Sequence, residues 1–280
     1  MREELPGSGW SLDDRDPDAI RRLMPLWEWF YRYYFRVETQ GWERLPEGRV
    51  LIVGSHNGGL SSPDMIMMIY DWFRHQGYER RVYGLMHPTV WKISRPVAEL
   101  AVKVGAIQAH PRMALAALQS GASVLVYPGG AQDVFRPFSE RHRIHFAGRK
   151  GFIKLALREN VPIVPALSLG AHETLYVLGD CYEQMKQLHD WGLPWLFDID
   201  PVVFPVYLGL PWGLALGPLP HLPLPLKMRT YVGEPILFER YGTDAANDRI
   251  YVQACYDQVV KTMQAQLDAL VAAAPKSPGF

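Results

Sequence analysis

The chain has 280 residues, 48% of them apolar and 12% aromatic, with 29 Lys and Arg against 29 Asp and Glu. That length supports one large α/β domain with a sizeable core, and the even charge balance argues against the basic footprint of a nucleic-acid-binding protein. Nine Trp and fourteen Tyr exceed what a core needs and suit a surface that is half wet and half greasy.

Residues 1–17 are polar, with Pro and Gly, and read as a loose or draped arm. Over 18–37 the text is helical and ring-rich, Leu26-Trp27-Glu28-Trp29-Phe30-Tyr31-Arg32-Tyr33-Tyr34-Phe35-Arg36. Rings with arginines fit a bilayer interface; a helix packed over the core fits equally well. A turn over 42–47 leads to a strand over 49–54. After a small-residue loop, a helix is expected over 63–73, with Ser62 as its cap and Pro63 in its first turn. A strand over 81–86, a helix over 94–102, a short strand over 105–109 and a helix over 111–119 follow. Buried strands over 123–127 and 161–167 flank a helix over 151–159.

Residues 191–226 differ, being dominated by Pro, Leu, Trp, Phe and Gly, with Lys and Arg absent until Lys227. Prolines this frequent forbid a long helix, and the segment is too greasy for a free linker, so it should cover something apolar or enter lipid. A strand over 229–232 and a closing helix over 247–273 complete the chain. Strands alternating with helices predict an α/β fold with a mostly parallel central sheet flanked by helices. The aromatic arm and amphipathic helix occupy 1–48 and the α/β body 49–280, within a single compact domain.

Cys181 and Cys255 form neither a metal motif nor a disulfide framework, which points to a reducing compartment. The N-terminus lacks the apolar core of a signal peptide, and no run of ~18 uncharged apolar residues is present. The expectation is a peripheral protein on the cytoplasmic face of a membrane, with no spanning helix.

His56 follows a strand that should end at the sheet rim, where open α/β sheets keep their sites. Gly54, Ser55, Gly58 and Gly59 leave its ring approachable, and its near-neutral pKa suits removal of a proton from a hydroxyl. Asp64 is placed to orient the imidazole as a triad acid does. The same two residues would also suit an ordinary loop histidine and an acid at a helix start. At 127–136, a buried strand runs into Pro128-Gly129-Gly130, whose amides can point at one oxygen, while Asp133 and Arg136 could orient a substrate. The basic stretch 141–151, with Arg149 and Lys150 directly before a helix, is a plausible phosphate seat or a solvated loop. His142 and His145 have no Cys or carboxylate partner at ligand spacing, so no metal site is expected. His172 and Glu173 could line the same rim.

In order and spacing, these pieces resemble the glycerolipid acyltransferase superfamily over roughly 50–236. The motifs are His-Asn-Gly-Gly to Pro-Asp at 56–64, Gly105-Ala106-Ile107, Tyr-Pro-Gly-Gly at 127–130, Arg-Lys-Gly-Phe at 149–152 and Val-Pro-Ile-Val-Pro at 161–165. Leu-Pro-Leu-Pro-Leu at 222–226 and Gly-Glu-Pro-Ile at 233–236 complete the set. Pro-Gly-Gly, in place of Pro-Glu-Gly, is similar to the diacylglycerol acyltransferase branch. The resemblance implies transfer of a fatty acyl group from acyl-CoA or acyl carrier protein to a lipid hydroxyl at a membrane surface, with acyl-CoA as co-substrate and no metal or resident cofactor. His56 would be the general base, Asp64 its support, and the amides of Gly129 and Gly130 the oxyanion donors. Arg149, Lys150 and Arg112 would meet phosphate or CoA.

Two departures matter. The family's dyad spacing would put the acid where this chain has Ser61, and the family's phosphate-reading arginine is shifted or missing, with His110, Pro111 and Arg112 in the region after Gly105. A neutral or unusual lipid alcohol is therefore open as acceptor. A homo-oligomer is compatible with the aromatic surface. Two other readings remain: a non-catalytic lipid-binding protein on the same fold, and a serine esterase using Ser55, Ser61 or Ser62. The esterase lacks a Gly-x-Ser-x-Gly elbow.

Overall fold

The computed structural model describes residues 7–195 and 199–274; the short stretch 196–198 of the greasy segment and the first six residues of the arm lie outside it. Among the described residues ten strands are present: β1 (Glu38–Gln40), β2 (Leu51–Gly54), β3 (Val82–Met86), β4 (Ala106–Gln108), β5 (Ser123–Val126), β6 (Ile163–Leu169), β7 (Tyr176–Asp180), β8 (Pro205–Gly209), β9 (Gly213–Leu216) and β10 (Arg229–Val232). In the same described residues ten α-helices accompany them: α1 (Pro17–Trp29), α2 (Pro63–Gln76), α3 (Thr89–Ile93), α4 (Arg95–Lys103), α5 (Pro111–Gln119), α6 (Gly130–Val134), α7 (Gly151–Glu159), α8 (Tyr182–Asp190), α9 (Thr243–Asn247) and α10 (Arg249–Ala273).

Seven strands make the main sheet in the order β1-β10-β6-β2-β5-β3-β4. The expected α/β fold is present, and the run β6-β2-β5-β3-β4 is parallel throughout. One pair departs: β10 runs antiparallel to β6. All four residues of β2 are buried, as a central parallel strand covered on both faces requires. One face packs against α5, α7 and α10 through Leu118, Ile153, Leu157, Val259 and Met263; the other packs against α1 and α2 through Ile20, Met68 and Trp72.

Because β5, β2 and β6 are adjacent and parallel, the loops that follow them emerge at one edge. Those connections are 55–62, 127–136, which includes α6, and 170–175.

The arm is draped, not loose, over its described part. Gln108 donates from its backbone N–H to Gly9 O (2.9 Å) and from Nε2 to Ser8 O (2.7 Å). The aromatic helix ends in one π-helical turn over Phe30–Tyr34. It buries Ala19, Ile20, Tyr31 and Phe35 but leaves Leu26, Trp29 and Tyr33 exposed. Ser62 caps nothing with its side chain; it sits at φ 41° and spends its hydroxyl on Gly59 O (3.1 Å). The greasy segment contains more order than expected. Within it, β8 and β9 join β7 in a separate antiparallel sheet, whose inner face packs Val177, Tyr207 and Ala215 over Val134 and Phe135. No helix among the described residues is long and apolar enough to cross a membrane.

Candidate active site

The His56 loop is held from beneath by a buried ion pair. Asp133 is fully buried and Arg136 nearly so, and their side chains meet at 2.8 Å. Asp133 Oδ2 accepts the backbone N–H of His56 at 2.5 Å, and its carboxylate also accepts from Ser55 Oγ at 3.2 Å. Arg136 Nη1 donates to His56 O (2.7 Å) and Nη2 to Asn57 Oδ1 (2.5 Å). The rest of the guanidinium bonds Arg141 O (2.9 Å) and Glu140 O (3.0 Å). Both backbone polar groups of His56 therefore end on one ion pair. Burial pushes the Asp133 carboxyl up to about 6, while the Arg136 charge and the His56 N–H pull the other way. Asp133 and Arg136, the residues expected to orient a substrate, have both side chains buried and bonded to the His56 loop.

The imidazole is partly exposed, with 17% of its side chain accessible. Its ring packs on Tyr127 at 4.7 Å between centroids. Gly54 makes that contact possible, because a Cβ there would lie 2.2 Å from the Tyr127 ring. His56 Nδ1 is buried without a hydrogen bond and faces Asp64 Oδ1 at 3.8 Å, beyond bonding distance. Asp64 is buried and accepts from Met65 N–H (2.8 Å) and Asn57 Nδ2 (3.1 Å). Asn57, which the sequence reading passed over, thus ties Asp64 to Arg136; its position next to His56 was the only signal available.

The Pro128-Gly129-Gly130 turn lies beside this loop through Tyr127 and Asp133. A Cβ on Gly129 would lie 2.2 Å from both Asp133 Cβ and His145 O, so only glycine allows that approach. Gly130 has φ +56° and opens α6. Arg149 is exposed at the rim and donates to Pro128 O (3.0 Å) and Gly129 O. Lys150 is half-buried and precedes the first turn of α7. Arg112 is exposed in the first turn of α5. Burial, helped by the Arg149 charge, lowers the His87 imidazole at the end of β3.

His172 is buried, and its Nε2 lies 3.0 Å from Arg136 O. A carbonyl accepts only, so Nε2 carries the proton and Nδ1 is an unpartnered acceptor. Burial, with Arg136 nearby, drives its pKa down to about 3. Glu173 reaches Arg141 and His142, each at 3.5 Å. His221 is a second residue the sequence reading missed, the one histidine within 201–226. Its Nε2 bonds Gly58 O (3.0 Å), and Ser61 Oγ donates to its carbonyl (2.8 Å). The greasy segment is thereby fastened to the His56 loop. Among the described residues, no group of His, Cys, Asp and Glu is arranged to hold a metal ion.

Comparison with known proteins gives a consistent picture. A family model described as diacylglycerol acyltransferase matches residues 14–264. An uncharacterized protein of Mycobacterium tuberculosis is 33% identical over 276 residues, covering 97% of this chain and 72% of its own. A Gallus gallus protein described as a DGAT1/2-independent enzyme synthesizing storage lipids is 25% identical over 263 residues, covering 93% of this chain and 67% of its own. Among solved structures, the 1-acyl-sn-glycerophosphate acyltransferase PlsC of Thermotoga maritima aligns with a TM-score of 0.51 and 14% identity, over 92% of this chain and 81% of that one. At that identity the likeness is one of fold.

Proposed function

Because the chain belongs to the diacylglycerol acyltransferase family, we propose that it transfers a fatty acyl group from acyl-CoA, or from an acyl carrier protein, to the hydroxyl of a glycerolipid or other lipid alcohol. It works from the surface of a membrane. His56 takes the proton of the acceptor hydroxyl as that oxygen attacks the thioester carbonyl. The amides of Gly129 and Gly130 steady the oxygen that gains negative charge. The carbon–sulfur bond then breaks, and the departing CoA thiolate takes up the proton. A thioester is already activated and thiolate leaves well, so the chemistry requires neither an acyl-enzyme nor a metal. Asp64 supports the imidazolium from the Nδ1 side once the 3.8 Å gap closes. Arg149, Lys150 and Arg112 are the cations proposed to meet CoA or headgroup phosphate.

One observation carries this reading. A part-exposed imidazole stands at the carboxyl edge of a parallel sheet, its backbone fixed by a buried ion pair and its Nδ1 turned toward a buried carboxylate. The test is transfer from labelled acyl-CoA to a panel of diacylglycerol, monoacylglycerol, lysophosphatidate and long-chain alcohol. Removal of a general base costs about 10²–10⁴-fold. His56→Ala should fall by that amount with every acceptor, and Asp64→Asn by less. Equal turnover by wild type and His56→Ala would remove the assigned base.

A further inference from the structure

The small sheet is apolar on both faces. An antiparallel sheet with one solvated face alternates apolar and polar side chains, but here the outward rows are Tyr176–Leu208–Leu214 and Val206–Leu216. Leu208, Leu214 and Leu216 are 45%, 65% and 57% exposed. The hairpin tip adds Leu210 and Trp212, and Leu222 bridges to Leu210 alongside it, all at least half exposed. Residues 201–226 contain no Lys, Arg, Asp or Glu. The aromatic turn continues this surface, since Tyr34 Oη donates to Pro223 O (2.7 Å) and Arg36 Nη2 to Pro225 O (2.7 Å).

We propose that this face, with the Leu210–Trp212 hairpin tip foremost, inserts shallowly into an anionic lipid surface and sets the mouth of the His56 site against it. The proposal rests on the acyltransferase reading for its purpose, though not for its test. Three features favour lipid over a protein partner. The Trp212 indole N–H is already satisfied by Pro220 O (2.6 Å), so its ring can enter hydrocarbon without a stranded donor. The flank carries Arg32, Arg36, Lys227 and Arg229 against the two carboxylates of Glu28 and Glu38, and Arg36 bonds carbonyl oxygens. That balance suits anionic headgroups. Finally, the strap bearing Leu222 is bonded to the His56 loop through His221, so a protein seated here would crowd the site it borders. Insertion is shallow because β9 is an edge strand whose free backbone groups need water. The far end of the sheet carries Asp180, bonded to the Phe204 N–H in the same loop system as Asp200, and stays wet.

The experiment measures cosedimentation of the full chain with phosphatidylglycerol/phosphatidylcholine vesicles, alongside its sedimentation velocity without lipid. Leu214→Glu and Leu208→Glu are both at exposed positions, and far-ultraviolet circular dichroism checks that each remains folded. Each should lower vesicle partitioning by about tenfold or more, and salt should weaken the wild type's binding. His56→Ala should bind vesicles like wild type, which separates docking from chemistry. Both Glu variants should keep transfer to a dispersed short-chain acceptor while losing it to vesicle-borne acceptor. Unchanged partitioning in both variants would overturn the proposal. So would a wild-type dimer that Leu214→Glu converts to monomer without any vesicle binding, because the face would then belong to a second copy.

Discussion

Replacing Asp133 by Asn tests the claim that the ion pair serves the loop and not the substrate. The amide is nearly isosteric but leaves the Arg136 guanidinium, 4% exposed, without its counter-charge. It also turns an NH₂ toward one of three existing donors: His56 N–H, Ser55 Oγ or Arg136 Nη1. Stranding a buried charge costs about 3–5 kcal/mol, which corresponds to a fall of about 10 °C in melting temperature for a chain of this size. A shift of about 1 Å in the imidazole would lower kcat by about 10²-fold, with KM little changed if substrate does not touch the pair. Removing both charges with Asp133→Asn/Arg136→Met should recover part of the stability, since a buried pair replaced by apolar groups is often near neutral. Thermal unfolding followed by circular dichroism, with initial rates of acyl transfer, reads both quantities. An Asp133→Asn variant that melts like wild type yet is inactive would refute the clamp and return Asp133 to the reacting atoms.

Two further outcomes are expected. The His172 pKa falls from 6.5 to about 3 on folding, so between those values the unfolded chain binds a proton that the folded chain does not. Stability therefore drops as pH falls through that window, by up to about 1.4 kcal/mol per pH unit. His172→Gln, which can still donate to Arg136 O, should shrink the change in urea midpoint between pH 7 and 4.5; equal changes would refute the assignment. The raised Asp133 value acts in the opposite sense between about pH 4 and 6, in both proteins alike. Ser62→Ala should keep acyl transfer within a few-fold, because the Ser62 hydroxyl lies at the 3.5 Å limit from His56 Nε2 and is bonded to Gly59 O. A loss matching His56→Ala would instead make Ser62 the nucleophile.

What the sequence revealed depended on burial. β2, β5 and β6 sit inside a parallel sheet, so residues 51–53, 123–126 and 163–167 are continuous apolar runs that announce strands directly. The three loops carrying His56, Gly129 and His172 could be read from the order of those strands. The small sheet was illegible for the opposite reason. Leu208 and Leu214 look outward while Tyr207 and Ala215 look inward, so the alternation that marks a half-buried strand is missing. Asp133 and Arg136 show only as polar residues after a turn. Their inward direction is set by the His56 loop, whose sequence lies more than seventy positions away. No local pattern encodes that contact.

On the proposed mechanism the site must satisfy two opposed demands, and different segments would meet them. An imidazole that acts as a base needs a fixed position and a polar support, which costs desolvation unless every buried group is paired. The guanidinium of Arg136 meets this with acceptors at each nitrogen, from His56, Asn57, Asp133, Glu140 and Arg141. A lipid acceptor needs an uncharged approach, which 201–226 would provide at the cost of exposing leucines to water in the free protein. The two segments meet at His221. Its ring is buried and bonded to Gly58 O, and burial lowers its pKa against the pull of the Gly58 and Leu219 carbonyls. The strap and the loop that bears His56 are thus joined directly, through the His221 ring to Gly58 O and through Ser61 Oγ to the His221 carbonyl.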